Sequence, residues 1–327
     1  MNGTAKGPWV VAGSMAALAR LEPLVETRRS LQPVLAWTAP VEMLLADPAR
    51  HLPAGTEGVL VVGGRRRTPR RMLPGLFLRD AASRAVPVGW LPDAGAGLAT
   101  YARAAARVLT RSQVDRSLIV MGQWEDRFLR SGLRAVRWME QHQLGESVFH
   151  WTADRISREE LVSGLRIGQA LAVYFGHGRA TGWAGYHGVR VDDFTRPWAE
   201  PVGALLALCC ENAARCRTEL SFAERLVLSG MCGAMLAAVT KTRHEDNRIW
   251  GPALCEAYAA GSSLTLAGLV TAADVPQELR DCTSYRFIGD PLMRLAGAMG
   301  ASAKSARVFA PAPDAALPPW EEVSVLG

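Results

Sequence analysis

The chain has 327 residues, 49% of them apolar and 21% charged, with 31 Gly and 19 Pro. This composition excludes a disordered, collagen-like or coiled-coil protein and leaves room for one large domain or two moderate ones. The formal charge of +6 comes from the first third, where residues 1–115 carry 15 Lys plus Arg against 8 Asp plus Glu, while the remainder is nearly balanced; only Lys6, Lys241 and Lys304 are lysines, and so strong a choice of Arg looks like codon bias rather than a phosphate-binding surface.

Short apolar runs at Trp9–Ala12, Pro33–Trp37, Gly58–Val62 and Val86–Leu91 predict strands. Between them, Met15–Thr27 and Ala94–Leu109 carry the i, i+3, i+4 spacing of amphipathic helices. Alternating strands and helices predict an α/β fold with a mainly parallel sheet covered on both faces. Neither Val10–Ser14 nor Val61–Gly64 forms a G-x-G-x-x-G turn, so a dinucleotide fingerprint is missing. The arginine run Arg65, Arg66, Arg67, Arg70 and Arg71 reads as a solvated loop.

The polar stretch Thr110–Arg116 marks a boundary, giving a smaller α/β domain at 1–115 and a second domain at 116–300. In the second, strands are predicted at Ser117–Gly122, Ser147–Trp151, Ala170–Phe175, Gly203–Cys209, Ala234–Thr240 and Tyr285–Ile288. Helices are predicted at Glu125–His142, at Ile156–Arg166 with Thr152 or Asp154 as cap, at Ser221–Ser229, at Ile249–Ala260 and after Gly261-Ser262-Ser263. Residues 301–327, with Ala-Pro-Ala-Pro and Leu-Pro-Pro, read as an extended tail.

No run of 18 apolar residues occurs, and the apolar stretch Pro8–Ala19 reads as an opening strand, so a cytoplasmic protein without membrane association is expected. All six cysteines follow residue 200, and no C-x-x-C pair exists. That pattern predicts reduced thiols, and Cys209, Cys210 and Cys216 lack zinc-ligand spacing, so no metal is expected. Cys216, Cys232, Cys255 and Cys282 lie in or beside apolar stretches and read as structural.

Chemistry concentrates at two strand ends. His177, between Gly176 and Gly178, closes one buried strand, and the pair Cys209-Cys210 closes the next. Sites in parallel sheets form at the carboxyl ends of strands, so the two would share a crevice as nucleophile and base. Flanking glycines would leave room for a substrate carbonyl, with the Gly178 and Cys210 amides as donors to an oxyanion. His187, in Gly185-Tyr186-His187-Gly188, is a second candidate base, and Cys209 a second candidate nucleophile.

These segments, with Thr152-Ala153-Asp154 before a helix, Leu205 to Asn212, Phe222 to Gly230, Gly261-Ser262-Ser263 and Ile288-Gly289-Asp290-Pro291, resemble in order the CHAT family of caspase-like (clan CD) cysteine peptidases, relatives of separase, gingipain and the caspases. Lys241-Thr242 departs from the Leu-Trp usual in that family. The resemblance implies a caspase-like three-layer sandwich, with the first domain as an inactive half. It also implies a regulated endopeptidase of protein substrates, without cofactor, acting in bacterial defence or programmed cell death. Family register places the nucleophile at Cys210, immediately before Glu211, with His177 as its partner. It likens Glu245 and Asp246 to an acidic pair that selects a basic substrate residue. Under such specificity the arginine run 65–71 becomes a self-cleavage loop. A CHAT-like scaffold without turnover is the alternative.

Overall fold

The structure is a computed structural model that describes residues 6–111, 117–142, 148–194, 200–261, 265–280 and 284–295. Residue 115, Cys282 and the tail 301–327 lie outside the described residues.

The first half contributes β1 (Trp9–Ala12), β2 (Val34–Trp37), β3 (Gly58–Gly63), β4 (Phe77–Arg79) and β5 (Ala85–Pro92). The second contributes β6 (Leu118–Gly122), β7 (Val148–Thr152), β8 (Leu171–Phe175), β9 (Gly178–Arg179), β10 (Gly182–Trp183), β11 (Val189–Arg190), β12 (Val202–Leu208), β13 (Cys232–Ala238) and β14 (Tyr285–Gly289). One sheet runs β2-β1-β3-β5-β14-β13-β12-β8-β6-β7, with β4 paired to β5. Strands β6, β8, β12 and β13 are parallel, and every residue in them is buried. Continuous apolar runs of this kind belong to central strands covered on both faces. The helices form two packed groups, one per face, with Ala96–Thr110 and Phe222–Leu228 in one and Asp126–Gln141 and His244–Ala259 in the other.

Several expectations change in detail. Met15–Thr27 is not one helix but two, Met15–Arg20 and Glu22–Arg29, because Pro23 lacks an N–H and fits only a first turn. The helix expected from Ile156 spans Arg158–Gly164, and its cap is Ser157. The Ser157 Oγ accepts from the Glu160 N–H at 3.2 Å while the Glu160 carboxylate accepts the Ser157 N–H at 2.7 Å. Thr152 instead ends β7, fully buried. The helix expected from Ile249 begins at His244, since Glu245 and Asp246 suit the positive end of its dipole. Cys232 and Cys255 are buried, whereas Cys216 is exposed.

Strand β14 joins the halves. It runs antiparallel to β13 and parallel to β5, with Phe287 opposite Gly89. Asp290, just past it, is fully buried and gathers groups from the first half. Its carboxylate accepts Arg28 Nη2 at 2.6 Å, Arg28 Nε at 2.9 Å and Trp9 Nε1 at 3.3 Å, and its amide donates to the Tyr101 hydroxyl at 2.8 Å. A buried pair is costly to break because the remaining charge is left uncompensated. Asp290→Asn is therefore expected to lower unfolding stability by about 3 kcal/mol, read from the urea midpoint. A loss below about 0.5 kcal/mol, the level of an exposed pair, would show that this pair does not hold the seam.

Candidate functional site

Strand β12 ends at Leu208, and the chain turns sharply. Cys209 remains in the interior at 1% exposure, its thiol 3.0 Å from Asn212 Oδ1. Burial pushes that thiol well above its ordinary range, and the neighbouring Cys210 acts in the same direction. Cys210 is only partly buried, and its sulfur accepts the Thr242 N–H at 3.4 Å and lies 3.6 Å from Thr242 Oγ1. Glu211 follows with φ of 58°, a left-handed conformation that costs a non-glycine residue about 1–3 kcal/mol and is held in place by its surroundings. The Glu211 N–H donates to Thr240 O at 3.0 Å, which ties the turn to the end of β13.

His177 leaves the end of β8 and stands half exposed. Its N–H donates to Gln123 Oε1 at 2.9 Å, and its carbonyl accepts the Tyr174 hydroxyl at 3.1 Å and the Ala184 N–H at 2.9 Å. Its Nε2 has two partners, Arg127 Nη2 at 2.8 Å and Glu125 Oε1 at 3.3 Å, which themselves pair at 2.7 Å. The ring meets Phe128 edge-on with centroids 5.2 Å apart.

The two strand ends touch. A Cβ built on Gly178 would fall 2.4 Å from Cys210 O, 2.6 Å from Cys209 Sγ and 2.9 Å from Asn212 Nδ2, so only glycine fits there. At Gly176 a Cβ would lie 2.2 Å from the Tyr174 hydroxyl. Protein atoms, rather than an approaching substrate, thus fill the space that both glycines leave. Gly178 pairs with Trp183 in the small antiparallel sheet, next to the bonded pair in which Ala184 donates to His177 O. Bonded and non-bonded pairs alternate in such ladders, so the Gly178 N–H points away from β10.

Asn212 fastens this contact. Fully buried, it accepts Trp183 Nε1 at 2.7 Å and donates to Arg179 O at 2.8 Å and Gly182 O at 3.2 Å, while its own carbonyl accepts the Ala223 N–H at 2.9 Å. Sequence reasoning assigned no role to Asn212, Thr242, Gln123 or Glu125. The last two follow β6, a neighbour of β8, so the carboxyl-end rule applied to that strand would have found them.

Glu245 is exposed and Asp246 partly buried, both in the first turn of the helix His244–Ala259, with Asp246 Oδ2 3.4 Å from Arg243 Nε. His244 also packs edge-on against Phe128, centroids 5.5 Å apart, which sets this helix start near His177. His187, the second candidate base, meets Trp124 edge-on at 5.5 Å. Among the described residues, no group of three or more His, Cys, Asp or Glu is placed to hold a metal, and no helix is long and apolar enough to cross a membrane.

Residues 122–296, more than half of the chain, match the profile of peptidase family C25. The chain belongs to this family of cysteine peptidases. The peptidase resembles the crystal structure of the Arg-specific cysteine proteinase gingipain R at 13% identity and a TM-score of 0.66, covering 90% of this chain and 79% of that one. A complex of the pro- and mature domains of Porphyromonas gingivalis RgpB gives 13% identity and 0.65, covering 88% and 80%. Separase in the Saccharomyces cerevisiae separase–securin complex gives 16% and 0.50, over 72% of this chain but only 15% of that one. No curated protein matches significantly. The fold is the caspase-like α/β sandwich that the sequence resemblance implied, and the matching family lies in the same clan of peptidases.

Proposed function

We propose that the peptidase is an endopeptidase in which Cys210 is the nucleophile and His177 its acid and base. The observation that carries this reading is the contact of Gly178 with Cys209 and Cys210, which brings the loop bearing His177 against the loop bearing Cys210. Cys210 gives its thiol proton to His177 as its sulfur attacks the scissile carbonyl carbon, and the oxygen, now negative, accepts hydrogen bonds from the Gly178 and Cys210 amides. The C–N bond then breaks as His177 delivers its proton to the departing amine. Water, giving a proton to His177, attacks the thioester and releases the acid and the thiol. For Nδ1 to take and give the proton, Nε2 keeps its own N–H, with Glu125 Oε1 at 3.3 Å as its acceptor. That leaves Nδ1 for the thiol and the amine. Cys209, buried and bonded to Asn212, is the poorer nucleophile.

For the residue before the scissile bond, P1, the proposal is Arg or Lys, bound by Asp246 and Glu245. Asp246 already holds the guanidinium of Arg243, which is 80% exposed and can yield its place. Gingipain R, described as Arg-specific, shares the fold and supports the same choice. Peptides with Arg, Lys, Leu or Asp at P1 test it. Basic P1 is expected to be cut at least about tenfold faster than Leu, and Asp246→Asn to remove that advantage without slowing Leu peptides. A wild-type preference for Asp or Leu would overturn the basic pocket and leave the Cys–His assignment standing.

The reading extends to regulation. Complexes of the RgpB pro-domain and of separase with securin support restraint by a pro-segment or partner. The exposed Arg65 to Arg67, with Arg65 paired to Glu219, would serve as a self-cleavage loop. The first half, whose strands continue the sheet and which holds none of the six cysteines, fits an inactive caspase-like half. All five described cysteines are free thiols, in keeping with a cytoplasmic role, for which the sequence resemblance suggests bacterial defence or cell death.

A further inference from the structure

Trp124 stands out on the rim of the site. The residue is 58% exposed, although it lies between Gln123, which holds the His177 amide, and Glu125, which faces the His177 ring. Tryptophan is among the side chains most enriched at contact hot spots, and this one stands beside the groups that hold His177. What backs it is also built. His187 packs edge-on against it, at the tip of a turn in which Tyr186, His187 and Gly188 all have positive φ, 57°, 60° and 92°. Two non-glycine residues in the left-handed region carry strain that persists only where neighbours enforce it.

Here the neighbours are identifiable. The buried Tyr186 hydroxyl accepts the Gly122 N–H at 3.2 Å and donates to Trp151 O. The Gly185 N–H donates to the Tyr174 hydroxyl at 3.1 Å, and Arg158 Nη1 donates to Gly188 O at 3.2 Å. The turn that supports Trp124 is therefore anchored to the ends of β6 and β7 and to the tyrosine that also holds His177.

Position assigns the ledge to one side of the substrate. Cys210 follows β12, His177 follows β8 and Trp124 follows β6, three neighbouring strands in that order. At about 4.8 Å per strand, Trp124 is about 10 Å from Cys210 on the far side of His177, a reach of about three extended residues. His177 delivers its proton to the departing amine, so the chain beyond the scissile bond leaves on that side. We propose that Trp124, backed by His187, forms a subsite for an aromatic or branched aliphatic side chain in the first two positions after the scissile bond, P1′ and P2′. This rests on the Cys210–His177 reading.

Internally quenched peptides with fixed P1 and with Phe, Leu, Gly or Asp at P1′ and P2′ test it, alongside a peptide aldehyde that has no residue beyond the carbonyl. Wild type is expected to favour Phe or Leu about tenfold in kcat/KM. Trp124→Ala should erase that preference through KM, Trp124→Phe should keep most of it, and the aldehyde should label all three within about twofold of one another. Equal use of Gly and Phe by wild type, a preference that survives Trp124→Ala, or an equal loss of aldehyde labelling would each overturn the subsite. A wild type that neither cleaves nor labels overturns the Cys–His reading, and the subsite with it.

Discussion

Cys210→Ala is expected to lower kcat/KM for peptide cleavage by at least about 10⁴-fold while leaving stability within about 1 kcal/mol. Removing the sulfur removes the covalent route altogether, and what survives is the modest acceleration by oxyanion donors and positioning. The fold has little reason to respond. The thiol is only partly buried, and it hydrogen-bonds to Thr242, whose hydroxyl keeps its bond from Asn247 Nδ2 at 3.1 Å. The same substitution at Cys209 behaves in the opposite way. It deletes a fully packed sulfur and its contact with Asn212, so stability falls while most activity persists. The two variants together separate the adjacent thiols. A Cys210→Ala enzyme that retains a tenth of wild-type turnover would contradict the assignment.

The second large effect belongs to a residue that touches no substrate. Asn212→Leu strands two buried partners, Trp183 Nε1 and Gly182 O, at a cost of about 1–3 kcal/mol each, and also frees the part-buried Arg179 O. All three lie in the segment that begins with Gly178. Without them the Gly178 amide and the His177 ring lose their registration on Cys210, and misplacement by about 1 Å costs about 100-fold in rate. kcat/KM is expected to fall about 100-fold, through kcat, at temperatures where circular dichroism shows the variant folded. Asn212→Gln, which keeps both amide functions, should recover part of the loss. If Asn212→Leu lowered stability but left kcat at the wild-type value, its role would be packing alone.

Much of this arrangement is legible in the amino-acid sequence. Buried strands such as Leu171–Phe175 and Val202–Leu208 announce themselves as uninterrupted apolar runs, because both sheet faces are covered. The carboxyl-end rule then brings His177 near Cys210 across the intervening residues. What escaped depends on contacts that have no local signature. The strands Gly178–Arg179, Gly182–Trp183 and Val189–Arg190 are two residues long, too short for any periodicity. Asn212 looks like any turn asparagine until Trp183 is seen to donate to it.

Glu125 lacks a sequence signature for a different reason. Chain order gives no hint that β6 lies beside β8 with β7 at the edge. The glycines of Gly176-His177-Gly178 read in the sequence as leaving room for a substrate carbonyl. The space belongs to Tyr174 and to the Cys209-Cys210 turn. The joining of the halves was equally invisible, since it rests on Asp290 meeting Arg28 across 262 positions of sequence.

The most direct measurement is the site of covalent capture. Wild type treated with an acyloxymethyl ketone bearing arginine at P1, digested and mapped by mass spectrometry, is expected to carry one adduct, on Cys210, with Cys209 unmodified and with no adduct in Cys210→Ala. An adduct on Cys209, or an intact mass unchanged by the reagent, would contradict the account.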